Sequence, residues 1–253
     1  MEQRNGSQAV DRALTILRLF DQHVERLTVS ELAKRLGVHR STASRLAAAL
    51  ERERMLERDP ETGAYQLGLG LVSLAGHVLN RFPVRGSGRE VIGDLRDRTG
   101  ETVFLAVVDG DEVIYIDQAS SPEVQVNLDW VGRRHPLTTG VTGALLLAFQ
   151  PADVITELVR EARSDHRPSA AVLSEAELDR AKAVGHLARY RDPLSGEAAV
   201  AAPVRNHRAD IVGAICLGGP QRRIDEQRFD DEIVPLTVQA AAHISERLGF
   251  LPS

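Results

Sequence analysis

The chain has 253 residues, 43% hydrophobic and 26% charged, with a formal net charge of −5. That is the profile of one or two globular domains whose core needs no covalent staples. No apolar run reaches the roughly 18 residues that span a bilayer, the opening MEQRNGSQAVDR lacks the apolar centre of a signal peptide, and a single cysteine, Cys216, excludes an intrachain disulfide; a cytoplasmic protein is expected.

Charge is unevenly placed. Up to Gly68 there are 11 basic and 10 acidic residues, against 20 and 26 in the remainder. Between Lys34 and Arg58 the basic residues number seven and the acidic three. A local basic zone on an otherwise acidic molecule suggests nucleic acid on one side only, although alternating charge also marks a solvated helix face.

Ala9, Val10, Ala13, Ile16, Leu17 and Phe20 recur at helical spacing and predict an amphipathic helix over 8–22. Thr28-Val29-Ser30-Glu31 is a capping-box pattern that opens a short helix, which Gly37 stops. HRSTASRLAAALERERM then predicts a further helix with Ala43, Leu46, Ala47 and Leu50 inward. Arg40, Ser41, Ser44 and Arg45 fall on its opposite face. Two helices joined by a tight turn, the second opening with Ser, Thr and Arg, match a helix-turn-helix. Hydroxyls and free amides at a helix start, with Thr42 among them, suit phosphates, and arginine suits guanine edges. The plainer reading is an αα corner with Ser and Thr as caps. Leu56–Asp59 and Ala64–Leu67 flank the turn Pro60-Glu61-Thr62-Gly63; a hairpin there, carrying Arg58, makes the motif a winged helix.

Residues 69–80 read as an apolar helix joining two domains and aiding dimerisation, ended by Phe82-Pro83-Val84. A helix over 88–98 follows, then strands Thr102–Val108 and Val113–Asp117 in a hairpin. A third strand is predicted over Val124–Val131, with Asn127 and Asp129 on one face and Leu128 and Trp130 on the other. Helices are expected at 142–149, 152–163 and 174–187, strands at Val200–Val204 and Ile211–Leu217, and a last helix over 225–248, bent at Pro235. The fold class is α/β (α+β), with an antiparallel sheet flanked by helices.

Leu137–Phe149, LTTGVTGALLLAF, opens a helix with threonines and glycines. A carboxylate there would gain free N–H donors, the helix dipole and hydroxyls. No Gly-Lys-Ser/Thr closes the loop, so it is not a P-loop. The plainer reading is a buried turn with Thr as cap and Gly for close packing. Cys216 sits in Ile-Cys-Leu with no activating neighbour evident. The eight histidines show no HExxH and no zinc spacing, and Asp192 with Glu197 makes a weak carboxylate pair. No catalytic residues, metal site or cofactor are expected.

SQAVDRALTILRLF and LTVSELAKRLGVHRSTASRLAAALERERMLERDPETGAYQLG resemble the N-terminal domain of the IclR family of bacterial transcriptional regulators. GETVFLAVVDGDEVIYIDQ, VGRRHPLTTGVTGALLLAF, AAVAAPVRN and GAICLGGPQRRI resemble that family's effector domain, in the same order. The resemblance implies a winged helix-turn-helix domain (1–68), a linker helix (69–84) and a GAF-like effector-binding domain (85–253). It further implies homodimers, often paired as tetramers, on palindromic double-stranded DNA. The implied DNA contacts are Arg40, Ser41, Thr42, Ser44, Arg45 and Arg58. The implied effector pocket involves Thr138, Thr139, Gly140, Val141, Thr142 and Gly143, with Asn127, Asp129, Asp192 and Cys216, and Gly196 nearby. Gly140 stands where relatives often have Thr or Ser, and Ala144 where they often have Lys, which makes the pocket roomier and less basic. The expected function is a ligand-responsive regulator, a repressor of a catabolic operon sensing a small organic acid or related catabolite. The alternatives are an activator of the same family and a metabolite-binding enzyme tethered to DNA.

Overall fold

The computed structural model describes residues 8–21, 24–121, 123, 129–164, 174–192 and 196–251. Backbone contacts gather the chain into two units, Met1–Arg81 and Phe82–Ser253.

In the first unit, α1 (Gln8–Arg18) buries Ile16 and is shorter than the 8–22 periodicity predicts. Thr28 opens α2 (Val29–Leu36) reciprocally: its hydroxyl accepts the Glu31 N–H (3.3 Å), and the Glu31 carboxylate accepts the Thr28 N–H (2.8 Å). Gly37 closes α2 in the left-handed region, φ +64°, where a Cβ would be strained. α3 (Arg40–Arg52) buries Ala43 and Ala47. These methyl-sized side chains let α2 and α3 meet over a core of Ile16, Leu27, Leu32, Leu56 and Tyr65. The hairpin β1 (Leu56–Arg58) and β2 (Tyr65–Leu67) gains a third line, because Leu27 and Tyr65 exchange backbone hydrogen bonds of 2.9 and 2.8 Å. Arg54, at φ +59°, turns its carbonyl to accept the Gly70 N–H (2.8 Å), tying the end of α3 to the start of α4 (Gly70–Leu79). α4 buries no residue, and Leu69, Val72, Leu74 and Val78 are exposed.

In the second unit, α5 (Pro83–Thr99) begins at the proline expected to end the preceding helix. Proline suits the first helical position, where its missing N–H would have no partner. β3 (Thr102–Asp109), β4 (Glu112–Ala119) and β5 (Arg134–Pro136) follow. The predicted strand Val124–Val131 is not borne out where it can be judged: residues 124–128 lie outside the described residues, and 129–131 are not strand. Asp129 Oδ1 instead accepts the Val131 N–H (2.9 Å), which begins a turn leading to β5. After α6 (Gly140–Ala148) and α7 (Ala152–Ser164), α8 (Glu175–Val184) repeats the capping box at Ser174 and Glu177. α8 stops at Gly185, and an unpredicted strand, β6 (Leu187–Arg189), takes over. β7 (Ala198–Arg205) and β8 (Ile211–Gly219) complete the sheet. The strand order among the described residues is β5-β4-β3-β8-β7-β6, antiparallel throughout. α9 (Glu226–Arg228) widens into a π turn (Phe229–Ile233) and continues as α10 (Val234–Arg247). The widened turn ends two residues before Pro235, which sits in the first turn of α10 and has no N–H to give.

Helices cover both sheet faces. α5 and α10 pack on one, where Leu105 meets Gly88 and Ile244 borders the same glycine. α6 packs on the other, with all of Val141–Ala148 buried. This apolar helix is therefore a central core element, and its first turn is held against the sheet.

Candidate functional sites

The start of α3 presents a polar face. Arg40, Ser41, Ser44 and Arg45 are exposed and Thr42 is half-buried. Spaced at i, i+1, i+4 and i+5, the four exposed residues share one side of the helix, away from buried Ala43 and Ala47. His39 is the N-cap, unsignalled by the usual Ser/Thr/Asp/Asn pattern. Its Nδ1 accepts the Ser41 N–H (3.3 Å) and lies 2.8 Å from Ser41 Oγ. This orients the Ser41 hydroxyl at the helix start. On the hairpin, Asp59 Oδ1 accepts the Glu61 and Thr62 N–H groups (2.9 Å each), and Arg26 pairs with Asp59 at 2.7 Å. Arg58 is exposed; its Nε donates to the Gly63 carbonyl (3.4 Å), and its guanidinium lies 5.9 Å from the Tyr65 ring centre.

The 138–143 loop meets structural demands of its own. Gly140 has φ +67°, and a Cβ on Gly143 would come within 2.9 Å of the Leu137 and Pro136 carbonyls. Both glycines are thus required by the turn and by the close approach of α6 to β5. Thr139 occupies the N-cap position of α6 but makes no side-chain cap; its hydroxyl donates to the Pro136 carbonyl (2.9 Å). The plainer reading, Thr as cap, does not hold at Thr139: the strand end captures the hydroxyl first. Thr138 and Thr142 are buried, Val141 is core, and the first-turn amides of α6 have no acceptor within the helix.

Strand register shows what lies beneath. Directly paired residues share a sheet face. The α6 face therefore carries Arg189 beside Ala199, Ala201 beside Cys216, Cys216 beside Phe104, Phe104 beside Gln118, and Ala106 beside Tyr115. A register shift at Leu105/Ala106 puts both Tyr115 and Gln118 on this face although they are three residues apart. Simple alternation along the sequence would separate them. Tyr115 is the hub. Its ring centre lies 5.4 Å from those of Phe104 and Trp130 and 5.6 Å from that of His135. Its hydroxyl lies 3.2 Å from His135 Nε2 and donates a long bond to Thr142 Oγ1 at 3.5 Å. Trp130 is half-buried against this cluster, with Arg133 stacked 4.9 Å from its ring centre.

The titratable groups here are kept uncharged by burial. Desolvation raises the Tyr115 hydroxyl well above its ordinary value and lowers His135 below 6.5. It also pushes the Cys216 thiol up to about 11. A thiol in this state is a poor nucleophile. Asp192 is buried, and its carboxylate accepts from Arg189 (3.3 Å), which also reaches Glu177 at 3.5 Å. The structure thus brings Thr142, Cys216 and Asp192 together with the unpredicted Tyr115, His135, Phe104, Gln118 and Arg189. Asp129 is exposed and engaged with Val131. Gly196, at φ +70°, donates its N–H to the Asp192 carbonyl (2.8 Å). Asn127 lies outside the described residues.

A groove of about 350 Å³ lies on the opposite sheet face, between α5 and α10, lined by Val91, Asp94, Arg98, Leu236, His243 and Glu246. It is remote from the α6 loop. Among the described residues no cluster of His, Cys, Asp or Glu could hold a metal, and no helix is long and apolar enough to cross a membrane.

A winged helix in one unit and a helix-covered antiparallel sheet in the other define a class of two-domain DNA-binding transcriptional regulators. Residues 9–60 match the family profile described as the IclR helix-turn-helix domain, and residues 76–246 match that of the bacterial transcriptional regulator IclR C-terminal region. The chain belongs to the IclR family of bacterial transcriptional regulators. It is 29% identical over 245 residues to a glycerol operon regulatory protein of Streptomyces griseus, covering 96% of each chain. It is 27% identical over 247 residues to the regulator XynR of Escherichia coli K12, covering 96% of this chain and 98% of that one. Its fold is similar to the crystal structure of Thermotoga maritima IclR, with a TM-score of 0.80 at 23% identity over 97% of this chain and all of the other.

Proposed function

We propose that this regulator grips palindromic operator DNA as a homodimer, through Arg40, Ser41, Thr42, Ser44 and Arg45 at the start of α3, with Arg58 supporting from the wing. The observation that carries the reading is the single exposed face on which Arg40, Ser41, Ser44 and Arg45 converge, at the end of the helix where amides and hydroxyls meet phosphate. Exposed Val10 and Leu14 on α1, together with the exposed apolar residues of α4, favour pairing of two copies. Pairing of dimers into tetramers follows the family pattern. The protein acts in the cytoplasm as a repressor of a catabolic operon; a relative 26% identical over 253 residues carries the name transcriptional repressor AllR.

The same reading makes the second unit a sensor and not an enzyme. Thr138, Thr139, Gly140, Val141, Thr142 and Gly143 border its effector site, with Asp129, Asp192 and Cys216 as further members; Asn127, outside the described residues, stays a candidate from the sequence alone. Effector binding shifts the population of DNA-competent dimers, so that effector and operator affinities are linked. Fluorescence anisotropy with DNA from upstream of the protein's own gene tests this. Saturable, salt-sensitive binding that a bound metabolite weakens, with the metabolite recovered unchanged, is the expected result. Conversion of the metabolite to product would favour a tethered enzyme, and tighter operator binding would favour an activator.

A further inference from the structure

We propose that the sensor site selects an uncharged, hydroxyl-bearing ring compound over the corresponding carboxylate; this rests on the sensor reading of the α6 face. Four observations carry it.

The first is the shape of the surface. At the margin of the α6 face, Ala199 on β7 and Gly218 on β8 are small and half-buried, beside the half-buried ring of Phe104 and with Cys216 buried next to them. A floor of small side chains next to an accessible aromatic face suits a flat ring.

The second is charge. Phe104, Tyr115, Trp130, His135, Thr142 and Cys216 carry no fixed charge. Among the described residues, the charged groups nearest Cys216 and Tyr115 on this face are Arg189 and Asp192, and Arg189 is shared between Asp192 and Glu177; Arg205, at the other end of α6, lies over the Phe149 ring. An incoming carboxylate would compete with two carboxylates for one guanidinium and would meet the buried Asp192 as a like charge. Arg133 lies over the Trp130 ring. Position 144 is Ala, and α6 itself brings no charged side chain to the site.

The third is hydrogen-bonding capacity. Tyr115 Oη, Thr142 Oγ1, the His135 imidazole and the first-turn amides of α6 form a neutral array of donors and acceptors. Ligand hydroxyls can match such groups in both directions. Burial holds His135 and Tyr115 in their neutral forms, so no cation arises there near neutral pH.

The fourth excludes an organic cation. Phe104, Tyr115 and Trp130 could suggest an aromatic cage. Their centres are 5.4 to 5.9 Å apart, however, which is direct ring-to-ring packing with no room for a quaternary ammonium between them.

The test uses the full-length protein and pairs of probes that differ only by CH2OH against carboxylate: D-glucose with D-glucuronate, and 4-hydroxybenzyl alcohol with 4-hydroxybenzoate. Titration calorimetry is expected to show at least one alcohol of a pair binding about tenfold or more tighter than its acid. The sugar and phenol arms decide which ring type is taken. Asp192→Asn is expected to narrow the gap by improving the acid. Tighter binding of the acids, binding of none of the four, or a gap unmoved by Asp192→Asn overturns the proposal. An acid that binds tightly and is weakened by Thr142→Val leaves the sensor site standing and refutes only its ligand class. A probe whose binding ignores both Thr142→Val and Tyr115→Phe refutes the sensor site itself.

Discussion

Tyr115 and His135, paired across the edge of the sheet, set the chemistry of the α6 face: the phenol oxygen lies 3.2 Å from His135 Nε2, with the rings 5.6 Å apart. The hydroxyl also reaches Thr142 Oγ1 at 3.5 Å, and His135 Nδ1 lies 3.3 Å from Thr139 Oγ1. Tyr115→Phe keeps the ring contacts and removes only the hydroxyl. It is expected to cost about 1 kcal/mol in denaturant unfolding, because His135 loses a buried partner. It also raises the Kd of the effector. A variant as stable as the parent, with unchanged effector affinity, would detach this hydroxyl from both roles.

Burial lowers the folded-state pKa of His135 below its ordinary 6.5. The folded protein therefore binds fewer protons here than the unfolded chain. This contribution to stability is fully present above 6.5 and is lost as pH falls from there through the depressed folded value. The thermal midpoint should fall between about pH 7.5 and 5.5, and His135→Gln should flatten that fall. Equal slopes in the two proteins would show that other groups govern the pH response.

Gly143→Ala drives a methyl to within 2.9 Å of two backbone carbonyls. A loss of about 1–3 kcal/mol is expected, since backbone cannot step aside as a flexible side chain can. Gly93, inside α5, has nothing within 4 Å of its added Cβ. Gly93→Ala should stabilise by roughly 0.4–1 kcal/mol. Equal effects at the two positions, measured by urea titration, would contradict the packing described for α6.

Arg45→Ala is expected to weaken operator binding by about 1–3 kcal/mol and to relax the preference at one base position. Arg40→Ala, if its partner is phosphate, should weaken all sequences alike and reduce the salt slope by about one. Anisotropy at several salt concentrations, on operator and scrambled DNA, separates the two behaviours.

Cys216, buried with its thiol pushed up to about 11, should react with iodoacetamide at mildly alkaline pH only after unfolding. Rapid labelling of one equivalent in the native protein would reveal an activated thiol and reopen the enzymatic reading.

Much of the DNA-binding unit was legible in the sequence, because its signals are local. Thr28 and Glu31 are three residues apart and cap one helix. Gly37 needs only its own φ, and Ala43 and Ala47 show their burial through spacing alone. The resemblance of the loop and strand segments likewise identified the family. His39 escaped because histidine seldom serves as a helix cap. Pro83 follows the end of one helix as expected, and its fixed φ also opens the next, which therefore starts at 83 and not at 88.

The α6 face was decided by tertiary structure. Tyr115 and Gln118 share a face only because the ladder slips by one residue at Leu105/Ala106, and no pattern in the chain announces that slip. Phe104 and Cys216 are far apart in sequence and become neighbours through the pairing of β3 with β8. The plainer reading of a threonine cap does not hold at Thr139, because the Pro136 carbonyl captures its hydroxyl once the loop closes. Composition and local spacing specify helices, turns and the exposed arginine face, since those depend on neighbours a few residues away. Which side chains share a buried surface, and whether burial leaves them charged, depends on register between distant strands, and only the folded chain contains that information.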